Sequence, residues 1–67
     1  MLKIESEHED DGRWLAEVPS LAGVLAYGAT EAEARAKVKS LALRVIADRL
    51  DHGEALPQEI AAVFETA

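Results

Sequence analysis

The sequence predicts an α+β domain: a three-stranded antiparallel meander covered on one face by a single long helix. Three observations carry that expectation. Residues 2–18 alternate apolar and polar side chains and are interrupted by Asp11-Gly12, the pattern of two half-buried strands joined by a hairpin turn. A second turn, Pro19-Ser20-Leu21-Ala22-Gly23, leads into a further short alternation, because Pro offers no ladder donor and Gly permits unusual dihedrals. Between Thr30 and Gly53 neither Gly nor Pro occurs, and apolar residues recur at helical spacing.

Each hairpin element can be placed by register, since a slip of one residue sends every side chain to the wrong face. A two-residue Asp11-Gly12 turn would pair Glu9 with Trp14, Glu7 with Ala16 and Glu5 with Val18, burying three carboxylates. A three-residue loop, Asp10-Asp11-Gly12, instead pairs Glu9 with Arg13, His8 with Trp14, Ser6 with Ala16 and Ile4 with Val18. The apolar sets then face together, with Gly12 in the left-handed position. The same register opposes Glu5 to Glu17, with Glu7 nearby, an arrangement that destabilises a sheet. The third strand runs from about Val24 to Gly28, with Val24 and Ala26 on one side and Leu25 and Tyr27 on the other.

Thr30-Glu31-Ala32-Glu33 reads as a capping box that opens a helix over residues 31–51. Gly53 provides its stop. Projected at 100° per residue, Ala34, Val38, Leu41, Ala42, Val45 and Ile46 form the sheet-facing stripe. A second apolar arc, with Ala32, Ala36, Leu43, Ala47 and Leu50, is wider than one small sheet can cover, so Ala36, Leu43, Ala47 and Leu50 are candidate oligomer contacts. After the loop Glu54-Ala55-Leu56-Pro57, residues 58–66 fit two patterns. Ile60, Ala62 and Phe64 alternate with Ala61, Val63 and Glu65 as in a fourth strand; Pro57 with Ile60, Val63 and Phe64 equally fits a short helix.

A chain of 67 residues has room for one domain, which buries only about 60% of the surface its unfolded form exposes. Without Cys neither a disulfide nor a thiolate zinc site can stabilise it; a reducing compartment fits, and oligomerisation is the remaining common remedy. Residues 1–7 lack the basic start and apolar run of a signal peptide, and no stretch approaches a membrane span. The expectation is a cytoplasmic protein with no membrane association. Thirteen acids against seven bases give a net charge of -6, which disfavours direct nucleic-acid binding and favours a basic partner. Trp14, Tyr27 and Phe64 carry no interleaved basic residues of the kind a base-stacking surface needs.

Taken together, "DGRWLAEVP", "AGVLAYGATEAEA", "LALRVIADRL" and "HGEALP" resemble the HicB antitoxin family in order and spacing, from Ile4 to Pro57. The resemblance implies a partial ribonuclease-H-like domain over residues 1–67, β-β-β-α-β, and so favours the fourth strand. It also implies a partner: a HicA-type toxin, a small basic ribonuclease that cleaves messenger RNA with a catalytic His. Typical members add a helix-turn-helix or ribbon-helix-helix segment for operator binding; no such segment is expected within these 67 residues.

No catalytic residue, metal ligand or cofactor is expected. Glu5, Glu7 and Glu17 share one sheet face, and ribonuclease-H folds elsewhere hold two metal ions with clustered acids, yet so small a domain offers little concavity. His8 and His52 lack a second ligand or a nucleophile at useful spacing; His8 lies beside Trp14 and His52 in the last helical turn, where partial positive charge suits the macrodipole. Trp14 is expected as the main core anchor. The acidic outer face, Glu5, Glu7 and Glu17 with Tyr27, is the candidate partner-binding surface. A stand-alone homo-oligomeric interaction module without a toxin partner is the competing function.

Overall fold

The first turn decides which side chains reach the core. The structure, a computed structural model, describes residues 2–64. Strand β1 (Glu5–His8) and strand β2 (Trp14–Glu17) pair antiparallel with Glu5 opposite Glu17, Ser6 opposite Ala16, Glu7 opposite Leu15 and His8 opposite Trp14. This is the register of the three-residue loop. Glu9 donates its N–H to the Arg13 carbonyl at 2.8 Å, Gly12 donates to the Glu9 carbonyl at 3.0 Å, and Gly12 takes φ +90°, a conformation that costs glycine nothing. Asp11 accepts from the Arg13 N–H at 3.0 Å and its guanidinium at 2.8 Å. These two bonds, the backbone one foremost, hold the Asp11 carboxyl below its ordinary value.

Strand β3 (Leu25–Gly28) pairs antiparallel with β2, so the sheet order β1-β2-β3 follows the chain. Helix α1 (Glu31–Asp51) packs across one face, closest to β3 and β2 and least against β1. Thr30 caps it by accepting the Glu33 N–H at 3.1 Å, while the Glu33 carboxylate reaches back to the Ala29 N–H at 3.1 Å, one residue earlier than in the usual box. That bond, with Lys37 beside it, keeps the Glu33 carboxyl below its ordinary value. At the far end Glu54 donates to the Arg49 carbonyl and Gly53, at φ +69°, to the Leu50 carbonyl, the paired bonds of a Schellman stop. Helix and sheet approach so closely at Gly28 that a Cβ there would lie 2.6 Å from the Ala34 nitrogen.

The core consists of Ala16, Val18, Leu21, Val24, Ala34, Val38, Ala42, Ile46 and Ile60. Four of them, Ala34, Val38, Ala42 and Ile46, come from the expected helix stripe, while Leu41 and Val45 are half-buried at its border. Two expectations need correction. Trp14 is half-buried at the sheet end and is not the main anchor; Leu21, Val18 and Val38 are the largest fully buried side chains. Leu21 lies within the Pro19–Gly23 turn, which folds inward because the Leu21 N–H bonds the Val18 carbonyl and the Val24 N–H bonds the Leu21 carbonyl.

The fourth strand is the second correction. Pro57 instead leads into a helical turn, α2 (Gln58–Ala61), continued by a 3-10 turn over Ala62–Phe64. Glu65 and residue 66, which completed the expected strand, lie outside the described residues. Pro57 starts helices readily because its missing donor is not needed there, and the Ile60 and Ala61 N–H groups both bond its carbonyl. The helical turn swings Ile60 into the core and leaves Val63 exposed.

With three alanines among nine core residues, the burial of Leu21 is a large share of the hydrophobic stabilisation. Leu21→Ala is expected to cost about 2–5 kcal/mol, comparable to the whole stability of so small a domain. Urea unfolding followed by circular dichroism should show the variant largely unfolded without denaturant.

Candidate functional site

The odd-numbered side chains of the sheet point away from α1, and the register arranges them in rows. Glu5, Glu17 and Leu25 form one row; Glu7, Leu15 and Tyr27 form the next. The candidate residues Glu5, Glu7, Glu17 and Tyr27 therefore share one face, all four exposed. The acids occupy its β1 side and the apolar residues its β3 side, where Leu25 is 43% and Tyr27 39% exposed.

The structure adds three members that the acid-centred reading passed over. Leu25 and the half-buried Leu15 extend the apolar half beside Tyr27. Arg13 sits with its guanidinium 4.4 Å from the centre of the Tyr27 ring while paired to Asp11. A cation over an aromatic face is attracted to its negative quadrupole, so Arg13 orients Tyr27, and its own charge is matched by Asp11. The signal for all three lies in the register, because period two puts residues 13, 15, 25 and 27 on the face of Glu17.

Each histidine ring has a structural contact. The His8 ring stacks on Trp14, centroids 4.5 Å apart and planes 10° from parallel. His52 caps α1, its Nδ1 2.8 Å from the Asp48 carbonyl. Among the described residues no group of three or more His, Asp or Glu side chains is placed to hold a metal ion, Glu5, Glu7 and Glu17 included. No helix among them is long and apolar enough to cross a membrane.

A second exposed surface lies on α1. Ala36, Leu43, Ala47 and Leu50 all face solvent in the single chain, Leu43 at 68% and Leu50 at 51%. Leu43 also borders an apolar cleft of about 260 Å³ shared with Leu2, Ile4, Lys39 and Ile46. Arg35 lies on the same flank, donating to the Ser6 hydroxyl of β1 at 3.3 Å.

Opposed like charges lower the stability of the free sheet and are screened by salt. Glu17→Gln should therefore raise the melting temperature of the isolated protein at low ionic strength, and the gain should shrink in molar salt. Compared with known protein families, curated proteins and solved structures, the chain matches none.

Proposed function

We propose that this chain is an antitoxin-like protein, which binds a small basic mRNA-cleaving toxin of the HicA type and silences it by covering its active surface. The observation that carries the reading is the open sheet face, where Glu5, Glu7 and Glu17 stand beside exposed Leu25 and Tyr27. Carboxylates of one sign steer a basic partner and speed encounter. An aromatic and an aliphatic anchor supply affinity by burial. The repulsion between Glu5 and Glu17 is relieved when a cationic group arrives, so binding recovers what the free fold forgoes. The net charge of -6 and the resemblance of the chain's segments to the HicB family point to the same class of partner.

In this reading the protein is a cytoplasmic binding protein without catalysis, cofactor or direct contact to nucleic acid. It works as a dimer or tetramer, joined through Ala36, Leu43, Ala47 and Leu50 of α1. The same exposed arc supports the competing reading, a homo-oligomeric interaction module that serves no toxin.

Where a small basic ribonuclease is encoded beside this chain, a stoichiometric mixture of the two should abolish RNA cleavage, and charge reversal at Glu5, Glu7 and Glu17 together should slow their association. Undiminished cleavage in the mixture would leave the interaction module as the function. Leu43→Glu combined with Leu50→Glu should lower the mass in sedimentation; an unchanged mass means that the arc is merely solvated.

A further inference from the structure

We propose that β3 is a self-pairing edge: two copies of this chain join their β3 strands antiparallel, making one six-stranded sheet with Ala26 at the two-fold axis. This interface is distinct from the α1 arc and does not rest on the toxin reading.

The hydrogen-bond pattern shows which backbone groups each edge leaves free. Val18 donates its N–H to the Val24 carbonyl at 3.0 Å. Antiparallel bonding alternates along a strand, so the backbone groups of Val24, Ala26 and Gly28 face β2, and those of Leu25 and Tyr27 face outward. On the other side, the bond from the Glu9 N–H to the Arg13 carbonyl turns Glu5 and Glu7 toward β2 and leaves Ser6 and His8 outward. Among the described residues, the outward donors and acceptors of both edges have no backbone partner.

Charge separates the two edges. β1 and its continuation read Glu5-Ser6-Glu7-His8-Glu9. Two copies paired there antiparallel would crowd Glu5, Glu7 and Glu9 of each onto one face, a recognised guard against edge association. β3 reads Leu25-Ala26-Tyr27-Gly28, with no charge, no Pro and exposed apolar side chains, which is the unguarded kind of edge.

A register must bring outward groups together to form bonds, and the one centred on Ala26 is the one that pairs both outward residues of the strand. Leu25 then faces Tyr27 of the second copy in both halves of the pair, each pair exchanging two N–H···O bonds. On the open face the Leu25 side chain lies across from the Tyr27 ring, an aliphatic–aromatic contact of the favourable type. On the helix side Ala26 meets Ala26 in the closely spaced, non-hydrogen-bonded position, where a small side chain fits. The flank of α1 away from Arg35 and β1 carries Lys37, Arg44 and Asp48, so two antiparallel helices meet mixed charge.

Because the sequence has no Cys, Ala26→Cys provides a single reporter thiol. Opposed non-hydrogen-bonded positions lie about 4.5 Å apart between Cα atoms, within disulfide range. Mild oxidation should give a covalent dimer of about twice the 7.2 kDa chain mass, while Glu7→Cys, the matching position on β1, should stay monomeric on a non-reducing gel. The cross-link should persist in the Leu43→Glu, Leu50→Glu background, which separates this edge from the helix arc. Should Ala26→Cys fold poorly, amide exchange in the unmodified protein at millimolar concentration decides: the Leu25 and Tyr27 amides should exchange at least tenfold more slowly than those of Ser6 and His8. Equal exchange at the two edges, or equal cross-linking of the two cysteine variants, overturns the proposal.

Discussion

The three-residue loop at Asp10-Asp11-Gly12 is the constraint on which the rest of the molecule depends. Gly12 at φ +90° sets the number of residues in the turn, and that number sets which side of the sheet every later residue faces. With one residue fewer, Glu5, Glu7 and Glu9 would share the face of Trp14, Ala16 and Val18 and lie under the helix beside them. In the register observed, Ala16 and Val18 are buried and Glu5, Glu7 and Glu17 are exposed. The acidic face and the core are therefore consequences of one turn. The opposition of Glu5 to Glu17 follows from the same geometry and cannot be relieved by sliding the strands, because sliding would bury charge.

Much of this was legible in the sequence because it rests on local rules. Helix α1 spans Glu31–Asp51, as the Thr30 cap and the Gly53 stop require, and β3 differs from expectation only at Val24. Strand β1 is shorter than the alternation from Leu2 implies, yet Leu2 and Ile4 still pack against the core. Leu21 escaped because a Pro-to-Gly loop has no periodicity from which burial can be read, and its inward turn depends on contacts with Val18 and Val24. The segment after Pro57 escaped for a different reason. Three or four apolar residues satisfy a period of 2 and of 3.6 equally, and the choice falls to whichever geometry brings Ile60 onto the existing core.

The candidate site was legible in its acids and less so in its apolar half. Counting charges draws the eye to Glu5, Glu7 and Glu17, whereas Leu15, Leu25 and the Arg13–Tyr27 stack become visible only when strands are laid side by side. An arginine over a tyrosine ring with an aspartate at its back is a contact between three loop and strand positions, and no single-segment pattern encodes it. The result is a face divided laterally, charge over β1 and hydrocarbon over β3, a division that suits one orientation of an approaching protein better than its reverse.

That strand order equals chain order bears on how the molecule comes to exist at all. Each strand finds its neighbour across a loop of five to seven residues, and the helix begins three residues after the last strand and folds back over what has already formed. Closing loops this short costs little chain entropy, and topologies dominated by such nearby pairings cross their folding barrier quickly. A newly made chain can therefore reach its native arrangement with brief exposure of its apolar segments.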